Sequence, residues 1–273
     1  MGAEVSWHEI DLLDATATRD LLLQVRPERL MHLAWYAEHG RFWTSPENVR
    51  WVEASLALLR AFVSVGGARA VLAGTCAEYD WGWLDEATNG STPRCHEYDT
   101  PLAPHALYGA SKHAVRLVAE KYAELESVEL AWGRVFFLYG PAEQPTRLVP
   151  AVVRSLLSGI ETPTSDGLQI RDFMHVEDVA AAFVALLESD VRGSVNIASG
   201  EAVTVRSVIE RIASTTGRPE LVRWGALERP PADPAVLVAD VTRLREEVGF
   251  SSTIGLEAGL DSTVAWWREV LDA

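Results

Sequence analysis

Short apolar runs alternate along this chain with longer segments whose apolar residues recur at helical spacing. Four runs have the length and composition of buried strands: residues 29–35, 69–75, 130–138 and 194–198. Five longer segments predict helices: residues 47–65, 108–125, 148–157, 203–216 and 256–271. Alternation of strands and helices predicts a parallel sheet covered by helices on both faces. The predicted fold class is therefore α/β.

The second half of the chain differs in composition, because residues 139–166 are rich in proline and glycine. We therefore predict a sheet domain and a smaller C-terminal lobe that packs on it. The sheet domain comprises residues 1–138 plus about 176–193, and the lobe comprises residues 139–175 and 194–273.

The charge balance argues against a nucleic-acid-binding protein. The chain has 273 residues and a formal net charge of −15, without a basic stripe that could replace the counterions around phosphates. No apolar run reaches the roughly 18 residues that span a bilayer, and the first residues lack the pattern of a signal peptide. Cys76 and Cys95 form neither a metal-binding spacing nor a disulfide framework. We therefore expect a soluble cytoplasmic protein with no metal, membrane or nucleic-acid partner.

Tyr108 and Lys112 form the most informative pair in the sequence. Lys112 is one of only two lysines, and chance predicts only about 0.04 Tyr-x-x-x-Lys pairs in such a chain. Side chains at this spacing share one face of a helix. An ammonium beside a phenol favours the phenolate, so we expect Lys112 to lower the pKa of Tyr108 and allow it to move protons. The alternative is an ordinary pair on a helix surface.

Thr75 ends the predicted strand 69–75 and therefore lies at the carboxyl edge of the sheet. Ligands of open α/β sheets bind at that edge. Thr75, Tyr108 and Lys112 can act together: the threonine hydroxyl polarises a substrate oxygen, the tyrosine transfers a proton and the lysine tunes the tyrosine. Taken alone, Thr75 could instead be a helix cap or a turn residue.

Several motifs in a fixed order resemble a known family. They are Asp11-Leu-Leu-Asp14, His32-Leu-Ala34, Gly74-Thr-Cys-Ala-Glu-Tyr79, the Tyr108/Lys112 pair, Arg134-Val-Phe-Phe-Leu-Tyr-Gly-Pro141 and Arg171-Asp-Phe-Met-His-Val-Glu-Asp178. This order resembles the extended short-chain dehydrogenases/reductases and, more narrowly, the NAD-dependent epimerase/dehydratase family, which acts on nucleotide sugars. The resemblance runs from about Asp11 to the end of the chain. It implies a Rossmann-like, doubly wound parallel sheet with a C-terminal lobe that binds substrate.

The resemblance implies a role for each matching residue. Thr75, Tyr108 and Lys112 would be catalytic, and Lys112 would also bind the nicotinamide ribose. The cofactor, NAD or NADP, would lie along Asp11, Leu12, Leu33, Ala34, Trp35, Tyr108, Lys112 and Phe136. The nucleotide-sugar substrate would meet Phe137, Arg147 and Arg171, with the arginines facing its diphosphate. For Arg171, a surface salt bridge is the alternative.

Two positions depart from the family pattern inside the matching motifs. Cys76-Ala77 stands where the dehydratases of the family carry Asp-Glu, so dehydration would lack its acid and base. Phe137 stands where the family usually has an asparagine that contacts the sugar nucleotide. Other aromatic residues nearby could stack on a base or sugar, or could form plain core: Trp35, Tyr36, Trp43 and Trp51.

The glycine fingerprint of the family, strand–Gly-x-x-Gly-x-x-Gly–helix, is not found in this sequence. Those glycines let the backbone approach the cofactor pyrophosphate. Residues 1–14 instead resemble the third strand of the family and the turn after it. In a sheet of order 3-2-1-4-5-6, strand 3 would then lack neighbours and strand 4 would have an uncovered edge. Three explanations stay open: the sequence starts late, a partner supplies the missing half, or the fold has rearranged.

Two functional hypotheses follow. The first is an NAD(P)-dependent oxidoreductase or epimerase that acts on a nucleotide-linked sugar, by 4-keto reduction or 4-epimerisation. The second is a non-catalytic relative that binds a nucleotide sugar or a partner protein. The resemblance also implies a homodimer that pairs through the helices at 47–65 and 108–125.

Overall fold

The computed structural model describes residues 5–86, 92–230 and 233–272. Its helices are α1 (Ala15–Val25), α2 (Glu47–Ser64), α3 (Trp81–Glu86), α4 (Leu107–Glu126), α5 (Leu148–Leu157), α6 (Val176–Glu188), α7 (Val205–Thr216) and α8 (Leu256–Asp272). Its strands are β1 (Arg29–His32), β2 (Arg69–Thr75), β3 (Glu129–Val135), β4 (Phe137–Tyr139), β5 (Thr162–Pro163), β6 (Ile170–Arg171), β7 (Phe173–His175), β8 (Gly193–Ile197), β9 (Val203–Thr204), β10 (Val222–Arg223) and β11 (Val236–Leu237). None of the described helices is both long enough and apolar enough to cross a membrane.

A four-stranded parallel sheet forms the centre, in the order β1-β2-β3-β8. Helices α2 and α4 cover one face, where Phe62 and Val115 pack in the same hydrophobic cluster as Leu72 of β2. Helix α6 covers the other face, where Phe183 packs with Val71. Because neighbouring residues of a strand point to opposite faces, Val71 packs in the cluster under α6 and Leu72 packs in the cluster under α2 and α4. The predicted α/β class, with a parallel sheet covered on both faces, is confirmed.

The predicted run 130–138 forms two strands instead of one. β3 ends at Val135, and β4 leaves the central sheet to pair with β7, with Phe137 opposite Phe173. The backbone N–H of Phe136, between the two strands, donates to the carbonyl of Ile197. This change of partner takes the chain away from the central sheet after β3 and leaves Phe136 at the carboxyl edge of the sheet.

The C-terminal part of the chain has its own hydrophobic cluster. Helices α5, α7 and α8 contribute Val153, Ile209 and Val264 to it. Small sheets, β5 with β10 and β6 with β9 and β11, lie in the same part of the chain. Strand β8 belongs to the central sheet, because it pairs with β3. The division into two units stays a prediction. The second segment of the predicted lobe begins at residue 194, so this boundary has to move past β8, which belongs to the sheet.

The strand that residues 1–14 resemble does not form in the described part of the chain. Residues 1–4 lie outside it, and residues 5–10 have no strand partner. The backbone then turns, with the Asp14 N–H donating to the Asp11 carbonyl, and the Asp14 side chain caps α1. A strand needs a neighbour for its backbone hydrogen bonds. Among the described strands, β1 pairs only with β2 and forms the edge of the sheet.

Candidate active site

The carboxyl end of β2 places Thr75 at the edge of the central sheet. After Thr75 the chain turns at once into a short 3₁₀ helix, Cys76–Glu78. The Thr75 hydroxyl accepts the N–H of Ala77 at 3.2 Å, and the Glu78 carboxylate accepts the N–H of Thr75 at 2.9 Å. These bonds form a capping box. Thr75 is therefore a cap residue and an edge residue at the same time.

Glu78 is the buried carboxylate that holds this edge together. Its side chain also accepts the indole N–H of Trp132 at 2.8 Å and the Nε–H of Arg134 at 3.1 Å. Gly74 permits this close packing, because a Cβ there would lie 2.0 Å from Trp132 Nε1. Sequence reasoning missed Glu78, although the Thr-x-x-Glu spacing of a capping box is a signal that could have found it.

Helix α4 carries Tyr108 in its first turn and Lys112 one turn later. The backbone N–H of Tyr108 donates to the Trp43 carbonyl at 3.1 Å. Lys112 is buried: its Nζ donates to the Ala73 carbonyl at 2.8 Å and lies 4.0 Å from the centroid of the Trp35 ring. Lys112 is thus anchored on β2, beside the strand that carries Thr75.

Burial sets the protonation of both α4 side chains. Although Tyr108 is only partly covered by neighbouring atoms, desolvation raises its pKa to about 12, and a hydrogen bond with the Thr75 hydroxyl opposes the rise. Desolvation lowers the pKa of Lys112 to about 7, against the attraction of the Glu78 carboxylate. A lysine with that pKa carries only part of a positive charge near neutral pH. The expectation that Lys112 lowers the pKa of Tyr108 below its usual value is therefore wrong here, and Tyr108 is a neutral phenol at pH 7.

One cavity of about 530 Å³ collects most of the predicted site residues. The predicted residues that line it are Leu33, Trp35, Thr75, Tyr108, Lys112, Phe136, Phe137 and Arg147. Asp11, Leu12 and Ala34 are not among its lining residues. The Asp11 carboxylate accepts the N–H of Leu13 within its own turn at 2.9 Å. A larger hollow of about 710 Å³ lies elsewhere, and no predicted site residue lines it.

Two arginines lie in or beside the cavity. Arg147 lines both this cavity and a smaller neighbouring one of about 190 Å³ that also contains Arg171. Each guanidinium meets a carboxylate: Arg147 Nε lies 3.0 Å from Glu143, and Arg171 pairs with Asp233. Arg171 is only 3% exposed, so its ion pair is not an ordinary surface salt bridge. Burial raises the pKa of Glu143 to about 7, although the charge of Arg147 acts in the opposite direction.

Aromatic rings surround Tyr108 more closely than the sequence indicates. The centroid of the Tyr108 ring lies 4.8 Å from that of Phe42 and 5.8 Å from that of Trp43. The Trp81 and His105 rings lie tilted against each other with their centroids 4.3 Å apart, and both line the same cavity. Sequence reasoning singled out Trp43 but missed Phe42, Trp81 and His105, because Phe42 and His105 lie in separate loops, Trp81 begins α3, and no spacing links the three. Of the other three singled-out residues, Trp35 also lines the cavity, whereas Trp51 lies against Trp35 and the Tyr36 hydroxyl donates to Glu38.

A parallel α/β sheet with Thr, Tyr and Lys side chains at its carboxyl edge is the architecture of an extended short-chain dehydrogenase/reductase. The family model described as "NAD dependent epimerase/dehydratase family" matches residues 1–198. This chain belongs to that family.

Similar proteins include nucleotide-sugar enzymes. The chain is 30% identical over 177 residues to a dTDP-glucose 4,6-dehydratase from Streptomyces griseus, a match that covers 63% of this chain and 52% of that protein. It is 26% identical over 279 residues to a UDP-glucuronate 4-epimerase from Thermodesulfobacterium geofontis, covering 97% of this chain and 80% of that protein. The chain thus spans about half the length of the first of these relatives.

Solved structures share the fold. A UDP-glucose 4-epimerase from Thermotoga maritima, solved with UDP-glucose, has a TM-score of 0.85 at 23% identity, over 97% of this chain and 84% of that one. At that identity the likeness concerns the fold alone. Other similar solved structures contain NAD or NADPH.

Proposed function

We propose that this protein is an NAD(P)-dependent oxidoreductase or epimerase that acts on a nucleotide-linked sugar. The observation that carries the proposal is that Thr75, Tyr108 and Lys112 line one cavity. An end with two arginines, Arg147 and Arg171, lies beside them. The names of the two curated relatives, both nucleotide-sugar enzymes, add support. The reaction would take place at a ring carbon such as C4.

Tyr108 supplies the proton in the proposed reaction. Burial raises its pKa to about 12, so the phenol carries its proton at neutral pH. Reduction of a 4-keto sugar needs this state, because the Tyr108 hydroxyl donates to the sugar oxygen as that oxygen gains negative charge. The Thr75 hydroxyl donates a hydrogen bond to the same oxygen. Epimerisation would use the same residues and start with proton removal by the deprotonated Tyr108, so the proposal covers both reactions.

Lys112 and Phe136 fit the nicotinamide end of a cofactor. The Lys112 side chain has three N–H donors as an ammonium and two as an amine, and the contact with Ala73 uses one of them. The others can reach ribose hydroxyls, while Phe136 lines the same cavity and offers an apolar ring to the nicotinamide. When bound, the cofactor supplies or accepts the hydride. The proposal covers NAD and NADP alike.

The residues after Thr75 argue against dehydration. Burial raises the pKa of Cys76 to about 12, so its thiol stays neutral. Ala77 has no ionisable group. Elimination of water needs an acid and a base, and these two positions supply neither, although the Streptomyces griseus relative is a dehydratase.

Arg147 and Arg171 are proposed to bind the substrate diphosphate. A guanidinium offers paired N–H donors that match phosphate oxygens. In the structure these arginines form ion pairs with the carboxylates of Glu143 and Asp233. A bound diphosphate would replace these carboxylates as the partner of the arginines. Glu143 suits this exchange, because with a pKa raised to about 7 it loses its competing charge by accepting a proton.

The alternative, a non-catalytic relative, rests on Phe137 in place of asparagine and on the missing glycine fingerprint. Titration of NADH and NADPH against the purified chain, followed by cofactor fluorescence, separates the two hypotheses. Saturable binding would exclude the non-catalytic alternative. If neither NADH nor NADPH bound, the hypothesis that this chain acts on its own as a dehydrogenase would be excluded.

The substitution Tyr108→Phe tests the proposed role of the phenol. Turnover of a nucleotide-linked 4-keto sugar with NADH or NADPH should fall by at least about 100-fold, because general acid catalysis contributes that much or more. Affinity for the cofactor should change by less than about threefold, since the ring remains. Tyr98→Phe, at an exposed tyrosine outside the cavity, is the matched control. Turnover retained in Tyr108→Phe would remove Tyr108 from the mechanism.

A further inference from the structure

The sugar end of the cavity has a wall of aromatic side chains. We define the aromatic wall as Phe42, Trp43, Trp81 and Phe137, which all line the cavity that contains Thr75 and Tyr108. Trp43 lies edge-on to Tyr108 at 5.8 Å and edge-on to Trp81 at 5.8 Å, and Phe42 contacts Tyr108 at 4.8 Å. The wall therefore starts at the phenol that is proposed to protonate the sugar.

Phe137 closes the wall on the side of the arginines. Its ring lies 5.7 Å from that of Phe173, and the Arg171 guanidinium stands 5.5 Å from its centroid. Phe137 also lines the smaller cavity that holds Arg171. A sugar placed between Tyr108 and the diphosphate position must therefore pass along the ring of Phe137.

The polar side chains that line this cavity already have partners or proposed roles. Thr75 and Tyr108 are proposed to form hydrogen bonds with the reacting sugar oxygen, and Lys112 donates to the Ala73 carbonyl. Arg147 and Asp233 face the diphosphate end, each in an ion pair. Cys76 is a buried thiol. Of the described lining residues with hydrogen-bonding side chains, His105 and the indole N–H of Trp43 are left to meet a further hydroxyl, and the His105 ring is tilted against Trp81.

This surface is unsuited to a fully hydroxylated hexose. A hydroxyl pressed against an aromatic ring loses its hydrogen bonds to water and gains none. A carboxylate at C6, as in a uronic acid, would lose still more hydration. A methyl group in the same place instead gains from burial against the rings.

We infer that the substrate is a nucleoside-diphosphate 6-deoxyhexose, whose C6 methyl group packs on the aromatic wall. This inference rests on the proposed function, and it goes beyond it by stating which sugar the cavity selects. His105 then meets one remaining ring hydroxyl, and Thr75 and Tyr108 meet the oxygen at the reacting carbon.

Binding measurements with sugars that differ only at C6 test the inference. Isothermal titration calorimetry on the purified protein compares UDP-6-deoxyglucose with UDP-glucose and UDP-glucuronate, and the dTDP-linked glucose pair in the same way. Free UDP and dTDP give the affinity of the nucleotide alone. The 6-deoxy sugar should bind about 10- to 100-fold more tightly than the 6-hydroxy sugar, the range that one added hydroxyl costs in an apolar pocket.

The substitution Phe137→Asn shows whether the wall causes the selectivity. The amide offers a partner to a hydroxyl, so the preference for the 6-deoxy sugar should fall by at least about threefold, mainly through tighter binding of the 6-hydroxy sugar. Leu23→Asn, at a half-exposed leucine of α1 outside the cavity, is the matched control and should keep the preference. Trp43→Gln repeats the test at a second position if Phe137→Asn does not fold.

The outcomes separate this inference from the proposed function. Binding of UDP or dTDP together with equal affinities for the 6-deoxy and 6-hydroxy sugars would overturn the inference and leave the proposed function standing. Tighter binding of UDP-glucuronate would overturn it as well. No binding of UDP, dTDP or any of the sugars would overturn the proposed function itself.

Discussion

Lys112 shows how the surroundings of one residue set its chemistry. Its spacing from Tyr108 places both side chains on one cavity, as the sequence predicts. Its protonation does not follow from spacing, because burial lowers its pKa to about 7 and raises that of Tyr108 to about 12. The proposed acid is therefore kept neutral by desolvation, and the neighbouring lysine has less influence than its sequence position indicates.

The substitution Lys112→Met tests this burial through the pH dependence of stability. In the unfolded chain the pKa of this lysine returns to its ordinary value of 10.5, whereas in the folded protein it is about 7. Between these values the unfolded state binds a proton that the folded state does not, so stability rises with pH. Relative to Lys112→Met, the wild-type protein should gain about 2 kcal/mol between about pH 7 and pH 9, measured by urea unfolding.

The only other lysine of the chain, Lys121, supplies the control for this experiment. Its side chain is 77% exposed and pairs with Glu124 on the helix surface. Lys121→Met should therefore leave the dependence of stability on pH nearly unchanged over the same range. If the free energy of unfolding changed with pH in the same way in wild type and in Lys112→Met, the Lys112 ammonium would not be desolvated.

At the scale of elements, Glu78 joins β2, β3 and α4 at the carboxyl edge of the sheet. It accepts the Thr75 N–H at the end of β2 and the Nε–H of Arg134 in β3. Its carboxylate also lies 3.7 Å from the Nε of Arg116 on α4. The position of Thr75 thus depends on a carboxylate that does not line the cavity.

The substitution Glu78→Ala should destabilise the protein strongly. It leaves the fully buried guanidinium of Arg134 without its carboxylate, and breaking a buried pair in this way costs about 3–5 kcal/mol. Urea unfolding at pH 7 measures the loss. Glu124→Ala removes a carboxylate that is 65% exposed and should change stability by less than about 0.5 kcal/mol. Similar losses in the two variants would contradict the role of Glu78.

At the scale of the whole molecule, α2 and α4 lie on one face of the sheet and keep apolar side chains on their outer surface. Leu117 and Val118 of α4 are 48% and 51% exposed, and Val49 of α2 is 49% exposed. A groove of about 260 Å³ between the two helices is lined in part by Leu56 and Val118. Exposed apolar patches mark interaction surfaces. A homodimer that pairs through α2 and α4 therefore stays our prediction.

The substitution Val118→Glu tests that prediction. A charge at the centre of the predicted interface would be desolvated on pairing, so the dimer should dissociate at concentrations where the wild type is paired. Light scattering after size-exclusion chromatography gives the mass of each species. Val184→Glu on α6, at a valine that is 48% exposed, is the matched control and should remain paired. A monomeric wild type, or an unchanged mass for Val118→Glu, would refute the prediction.

Most of the predicted strands and helices form in the structure, because apolar periodicity is a local property, whereas α1, α3 and α6 were not predicted. Strand 69–75 and helix 148–157 form with the predicted ends. The run 130–138 failed as a single strand because its second half pairs with β7, about 35 residues further along the chain. The ion-pair partner of Arg171 could not be predicted from local sequence either, since Asp233 lies 62 positions away.

By itself, the sequence determined the α/β class, several of the main strands and helices and the Thr75/Tyr108/Lys112 set, because spacing and periodicity act over a few residues. Only the tertiary structure decided the protonation of Tyr108 and Lys112, the ion pair of Arg171 and the aromatic wall beside Tyr108. Those features depend on burial and on contacts between segments far apart in the chain. Desolvation and packing exist only once such segments have come together.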